Sequence, residues 1–279
     1  MDETAFTNGE LYTILTNKSK KGKKGSIIMM AKGTKAADII QVILEMPKSK
    51  RDIVKEVTLD MAGSMNEIAK KCFTQANRVT DRFHVQKLAY EAVQEIRIKY
   101  RWQAIDKENE AYEQAKKKGI AYIPEFYSNG DTPKQLLARS RYLLFKSSKN
   151  WTDSQKHRAQ ILFENYPDLK RAHSLALGLA NIYEQKISRG QANTRMAHWF
   201  LRVEKSEFDS FKTIKRTFVQ HHVQIMNFFD NRSTNAAAES FNAKVKDFRR
   251  TFRGVRDIQF FPVDNWVTEI IEVKVVPEA

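Results

Sequence analysis

Three polar side chains near the carboxyl end of the chain share one face if residues 233–246 form a helix. Glu239, Asn242 and Lys246 follow one another at intervals of three and four residues, the spacing of a single helix face. Good cap residues and three alanines open the stretch and favour a helix start. A carboxylate, an amide and an ammonium group on one stripe are costly to bury without partners. The stripe is therefore either a hydrated surface or part of a site that other residues complete.

Two further acids favour a site. Ile53–Asp60 is the clearest strand in the sequence, with nearly continuous apolar residues, and it ends in Asp60 before a turn of small residues and a new helix. Ligands commonly bind outside the carboxyl end of such a strand. The alternative for Asp60 is a cap or turn residue. Asp2 is the third acid, and we expect the carboxylates of Asp2, Asp60 and Glu239 to meet.

Asp81 and His84 form a separate motif through their spacing of three residues. The two residues follow a short predicted strand and would share a face if a helical turn begins there. Asp-x-x-His is a weak metal motif, and a histidine satisfied by a neighbouring acid is the alternative.

Charge favours a polyanionic partner. The chain has 279 residues and a net charge of +15, and seven lysines without an acid lie between Lys18 and Lys35. Such a surplus is typical of nucleic-acid-binding proteins, although a generally basic protein is the other interpretation. The lysine-rich turn at 17–25 is either a hairpin tip that contacts phosphates or a solvated loop. A second basic run follows Glu239 and suits a phosphate backbone.

Composition excludes several classes of protein. The single cysteine, Cys72, permits no disulfide framework or zinc cluster within the chain, and its helical spacing predicts a core residue. No apolar run approaches the length of a membrane span, and no signal-peptide pattern opens the sequence. We therefore expect a soluble, cytoplasmic protein without a membrane partner.

The elements that must position these residues follow a clear order. Strands are predicted at 10–16 and 26–31, and Thr34 is expected to cap the one helix before Ile53–Asp60. From about residue 85 to 229 the patterns are helical, and Ser206–Phe228 is predicted as a single helix. Trp102, Trp151 and Trp199 are predicted core anchors, with base stacking as the alternative.

This order and these motifs resemble the DDE transposases of bacterial insertion sequences, most closely the ISL3 family. The resemblance covers about residues 1–260. Asp2-Glu3-Thr4 looks like the segment with the family's first acid, and Leu59-Asp60-Met61 looks like the segment with its second acid. Asp81-Arg82-Phe83-His84 looks like the family's Asp-x-x-His signature. The family's final helix resembles the stretch that contains Thr234-Asn235, Glu239, Asn242, Lys246 and Gly254.

The resemblance implies an α/β, ribonuclease-H-like core with a large all-α insertion. Its expected parts are 1–88 and 231–258 for the core, 89–230 for the insertion and 259–279 for an atypical tail. It further implies that Asp2, Asp60 and Glu239 are catalytic and bind two Mg²⁺ or Mn²⁺ ions. Asp81 and His84 would support the site. The residues expected to orient or contact DNA are Asn242, Lys246, Arg249, Arg250, Lys20, Lys21, Lys23 and Lys24.

The implied function is metal-dependent cleavage and strand transfer of double-stranded DNA by a homo-oligomer associated with the bacterial nucleoid. The family's zinc element and helix-turn-helix have no counterpart here, and the stretch after Phe261 departs from the usual closing helix. A catalytic fragment, a split-frame product or a decayed copy is therefore expected. The alternative functions are a non-catalytic basic DNA-binding protein and a related nuclease that joins no strands.

Overall fold

The computed structural model describes residues 1–5, 11–20, 25–234, 242, 243 and 247. The chain separates into two compact units. The first comprises the described residues of Met1–His84 and His221–Ala279, and the second is Val85–Gln220. Both strands and helices occur, so the mixed α/β class is confirmed.

The first unit contains two β-ladders. Strands β1 (Asp2–Ala5), β2 (Leu11–Thr16) and β3 (Ile27–Lys32) pair antiparallel in that order. Strands β4 (Glu56–Leu59) and β5 (Asn77–Thr80) pair in parallel. The Met1 nitrogen donates a hydrogen bond to the carbonyl of Thr58 at 2.8 Å, which brings the start of β1 to the end of β4.

Helices α1 (Ala36–Leu44) and α3 (Gly63–Cys72) supply most of the helical part of this unit's core. Ile39, Ile43, Met65 and Ile68 are almost fully buried against residues of β2, β3 and β4, and Cys72 lies in the same cluster. Each buried aliphatic side chain of this size stabilises the fold by about 1.5–3 kcal/mol. The prediction that Cys72 is a core residue is confirmed.

Three predicted boundaries in the first unit are wrong. A short helix, α2 (Lys48–Asp52), lies between α1 and β4, so the segment holds two helices. Ile53 is the C-cap residue of α2, and its side chain is 74% exposed. Strand β4 is four residues long and does not reach back to Ile53. Lys35 instead of Thr34 precedes α1, without a side-chain cap.

The second unit is helical. Helix α4 (Arg82–Lys117) begins in the first unit and continues into the second, which also holds α5 (Pro133–Arg139), α6 (Asp153–Asn165), α7 (Pro167–Glu184), α8 (Arg189–Ser206) and α9 (Asp209–Gln220). Two short helices, α10 (His222–Met226) and α11 (Phe228–Asn231), belong to the first unit. The predicted single helix at Ser206–Phe228 is therefore wrong, because His221 leaves the helical conformation with ψ near 21°.

The tryptophans divide between core and surface. Trp199 is 2% exposed and packs against Phe211 and Phe218, so its prediction as a core anchor is confirmed. Trp151 is half-buried and donates its indole N–H to the carbonyl of Leu143 at 2.8 Å. Trp102 is 61% exposed on α4, so its prediction as a core anchor is wrong.

Two buried polar side chains of the second unit, Asp131 and His173, have clear partners. The carboxylate of Asp131 is fully buried and forms ion pairs with the guanidinium groups of Arg139 and Arg158. His173 is 3% exposed, stacks on Trp151 with ring centroids 5.6 Å apart, and donates Nε2–H to the carbonyl of Lys146 at 3.0 Å. Burial lowers the pKa of His173 and outweighs the opposite effect of that hydrogen bond.

We expect His173 to make the protein less stable in mild acid. The unfolded histidine, with a pKa near 6.5, binds a proton more readily than the folded one. The contribution of His173 is therefore fully present above about pH 6.5 and is lost as the pH falls below it. In urea unfolding followed by tryptophan fluorescence, the free energy of unfolding of the wild type minus that of His173→Gln should fall between pH 7.5 and 5.

His198→Gln is the matched control, because His198 is exposed on α8. Its difference from the wild type should stay constant over the same pH range. A pH-independent difference for His173→Gln would contradict the assignment of a buried neutral imidazole.

Candidate active site

Two neighbouring strands position the first two acids, Asp2 and Asp60. Asp2 lies in β1 opposite the fully buried Ile14 of β2, and Asp60 follows the last residue of β4. Because the Met1 nitrogen bonds to Thr58, the beginning of β1 lies beside the end of β4. The backbone thus brings Asp2 and Asp60 to the same place.

Asp2 is half-buried and both of its carboxylate oxygens accept hydrogen bonds. Oδ1 accepts the backbone N–H of Glu3 at 2.9 Å, and Oδ2 accepts the side-chain amide of Asn242 at 2.6 Å. Burial raises the pKa of Asp2, and the negative charge of Asp60 raises it further, while the charge of the Met1 amino group, the Glu3 hydrogen bond and His84 partly offset this rise. Asp60 and His84 are therefore near enough for their charges to act on Asp2.

The structure shows the turn role of Asp60, which was one of the two alternatives that the sequence left open. Its Oδ1 accepts the backbone N–H of Ala62 at 2.8 Å, which fixes the turn between β4 and α3. The other alternative, a role of Asp60 in a site, stays a prediction.

Asp81 holds the start of α4. Its carboxylate is fully buried and its Oδ1 accepts the backbone N–H of Phe83 at 3.0 Å, the geometry of a helix cap. Its own backbone N–H donates to the carbonyl of Leu59 at 2.9 Å, so it is fixed beside Asp60. His84 follows one turn later and is half-buried.

Glu3 is a carboxylate that the sequence did not single out as a site residue. Burial raises its pKa, and the negative charges of Asp60 and Asp2 raise it further. Neighbouring residues of a strand point to opposite faces, so the pattern gave no reason to place Glu3 with Asp2. Only the three-dimensional proximity to Asp60 reveals it.

Several predicted site residues lie outside the described part of the chain. They are Glu239, Lys246, Arg249, Arg250, Lys21, Lys23 and Lys24. Lys20 is described and exposed in a short 3-10 turn, Lys18–Lys20. Among the described residues, no three histidine, cysteine, aspartate or glutamate side chains are grouped so that they could hold a metal. The expected meeting of Asp2, Asp60 and Glu239 stays a prediction, because Glu239 lies outside the described residues.

Asn242 connects the last motif to the first. It is helical and 6% exposed, and its Nδ2 donates to Asp2. Within the part of the chain that the structure describes, its buried Oδ1 has no hydrogen-bond partner. Buried amide oxygens without a partner are rare in folded proteins.

A sequence profile of a family described as transposase, the ISL3 group of DDE transposases, matches residues 1–264. The chain belongs to this family. The prediction made from its motifs is thus confirmed at the level of the family, which implies DNA as partner and divalent metal ions as cofactors.

No curated protein and no solved structure matches the chain closely enough to establish a relationship. Within the described residues, no helix combines the length and the apolar character needed to cross a bilayer.

We expect a measurable coupling between Asp2 and Asn242. In a double-mutant cycle of Asp2→Ala and Asn242→Ala, the free energies of unfolding should deviate from additivity by about 1–2 kcal/mol, since a hydrogen bond to a charged group is lost only once. Urea unfolding in EDTA measures the coupling without a contribution from metal.

Asn231→Ala is the matched control, since Asn231 is exposed and bonds to Glu56 instead. Its combination with Asp2→Ala should be additive. Additivity of the Asn242 cycle as well would show that the hydrogen bond to Asp2 does not stabilise the protein.

Proposed function

We propose that this chain is the catalytic part of an insertion-sequence transposase, which cleaves DNA and joins the 3′ end to a target with divalent metal held by Asp2, Asp60 and Glu239. The observation that carries the proposal is the hydrogen bond between Asn242 and Asp2. It joins the first and last motifs of the family at the place where Asp60 also lies.

A ribonuclease-H-like core agrees with the strand arrangement. The two ladders give the orders β1-β2-β3 and β4-β5, and the Met1–Thr58 hydrogen bond places β1 next to β4. The combined order would be β3-β2-β1-β4-β5, with β1 in the centre. The parts 1–88 and 231–258 for this core, 89–230 for the insertion and 259–279 for the tail remain predictions.

The residues present fit a divalent cation. The carboxylates of Asp2 and Asp60 and the unpartnered Oδ1 of Asn242 are hard oxygen donors, which Mg²⁺ and Mn²⁺ prefer. Glu239, three residues before Asn242, would supply a third carboxylate from the same helix face. Bound metal would activate the attacking oxygen and stabilise the leaving oxygen of an in-line phosphoryl transfer.

The protein's own residues prepare this site. Asn242 and the Glu3 N–H orient the Asp2 carboxylate, and the Ala62 N–H orients that of Asp60. Asp81 caps α4 and fixes His84 near Asp2, so neither residue needs to touch the metal to support the site. We infer that Asn242 positions Asp2, which differs from the direct DNA contact that the sequence suggested.

The basic residues have a separate role. Lys20, Lys21, Lys23, Lys24, Lys246, Arg249 and Arg250 are proposed to contact the DNA backbone, and two copies of the chain are proposed to bring two transposon ends together. The net charge of +15 supports the first of these proposals.

Metal binding tests the site directly. A thermal-shift titration with Mn²⁺ should show saturable stabilisation, about 2.7 kcal/mol at a concentration 100 times the dissociation constant. Asp60→Asn and Glu239→Gln should each abolish most of this stabilisation because each removes a carboxylate ligand.

Glu67→Gln is the matched control, because Glu67 is an exposed carboxylate on α3 of the same unit. It should keep the full response to Mn²⁺. A cooperative melt without any response in the wild type would refute the metal site and favour a DNA-binding protein without catalysis. Replacing Mn²⁺ by Fe²⁺ with ascorbate adds a local readout, since peptide cleavage should then occur near Asp2 and Asp60.

A further inference from the structure

The second unit contains a buried cation without an acidic partner. Arg97 lies on α4 with 5% of its surface exposed. A guanidinium group keeps its charge at every physiological pH, so its burial carries a large desolvation cost. No carboxylate forms an ion pair with Arg97 among the residues of Val85–Gln220, all of which the structure describes.

Neutral groups fix the position of Arg97. Its Nε donates to the side-chain oxygen of Gln94 at 2.6 Å, and its Nη1 donates to the carbonyl of Leu137 at 2.9 Å. Gln94 in turn donates to the carbonyl of Arg141 at 3.1 Å. These bonds orient the guanidinium group but do not neutralise it.

Two more arginines lie near the guanidinium group of Arg97. Arg101 lies one helical turn after Arg97 on the same face of α4, and Arg141 follows α5. Both are exposed, and neither forms an ion pair in the described part of the chain. Gln94 connects Arg97 to the backbone of Arg141, because it accepts from Arg97 and donates to the Arg141 carbonyl. Burial lowers the pKa of Arg97, and the positive charges of Arg101 and Arg141 lower it further.

The contrast with Asp131 shows that this arrangement is specific. In the same unit the buried carboxylate of Asp131 has two arginine partners, Arg139 and Arg158. Two guanidinium groups thus pair with the buried carboxylate of Asp131. The buried guanidinium group of Arg97, by contrast, lies near other positive charges. A cluster of this kind is unfavourable by itself and becomes favourable when an anion from outside binds to it.

We propose that Arg97, Arg101 and Arg141 form a phosphate-binding site through which the helical unit holds the backbone of duplex DNA. The two exposed arginines contact the phosphates, and Arg97 adds a fixed positive charge below them. Tyr142 is 69% exposed, and the Arg141 guanidinium carbon lies 5.5 Å from its ring centroid, a contact that helps to hold Arg141 in place. The inference rests on the proposed action on DNA, but it does not depend on metal chemistry.

The test measures the binding of a fluorescent 30-base-pair duplex to the full chain by anisotropy, in EDTA and over a series of salt concentrations. The variant Arg101→Gln/Arg141→Gln removes the two exposed arginines and leaves Arg97 in place. Its slope of log affinity against log salt should be smaller than that of the wild type by about two, since two phosphate contacts are lost. Its affinity at low salt should fall about tenfold or more.

Thermal melting of the free protein separates a binding role from a structural one. Removing two like charges near Arg97 should leave the melting temperature unchanged or raise it. Weaker binding together with a lower melting temperature would mean that the arginines only hold the fold, and the proposal would be overturned.

The matched control is Arg195→Gln/Lys205→Gln, which removes the same charge from exposed positions on α8. It should change the salt slope by much less. An equal effect of both variants would show that general charge, and not this cluster, binds DNA. Because the assay contains EDTA, loss of the metal site would leave its result interpretable.

Discussion

Carboxylates that lie close together in a half-buried place repel one another, and the first unit must hold Asp2 and Asp60 against that repulsion. Backbone N–H groups and one amide side chain do so, through hydrogen bonds from Glu3, Ala62 and Asn242. These bonds stabilise the charged forms of the carboxylates, and the positive charges of the Met1 amino group and of His84 also favour the charged form of Asp2. The turn after β4, the start of α4 and the Asp2–Asn242 contact all serve this arrangement.

The two units concentrate charges of opposite sign. The first concentrates negative charge beside β1 and β4, where Glu3 adds a further carboxylate near Asp60. The second concentrates positive charge around Arg97 on α4. Like charges that lie close together destabilise a folded protein, and a bound ion of opposite charge would relieve this repulsion. Such an ion would be a cation at the proposed metal site and a phosphate at the proposed arginine site.

The sequence predicts the family and the position of Asp60 at the end of a strand, while the roles of the site residues stay predictions. A buried strand ending in an acid and followed by small residues identifies Asp60, because that signal lies within a dozen neighbouring positions. Glu3 and Arg97 could not be found in this way, since their significance comes from groups that are distant in sequence. The break at His221 was missed because neither glycine nor proline marks it, and the apolar periodicity continues across it. Trp102 was wrongly predicted to be a core residue for the same reason. The sequence pattern of α4 does not show which face of the helix packs against another element.

The site joins residues from the two ends of the matched region, and this has a consequence for synthesis on the ribosome. The Asp2–Asn242 bond spans 240 positions, and the bond from Asn227 to Arg78 spans 149. Contacts between consecutive helices, such as α6 with α7 and α7 with α8, are prominent in the helical unit, and contacts between near neighbours form early. The first unit, by contrast, is completed only when the chain returns to it after Gln220. A partly translated chain therefore cannot form the bond between Asp2 and Asn242 until the residues around Asn242 have been made.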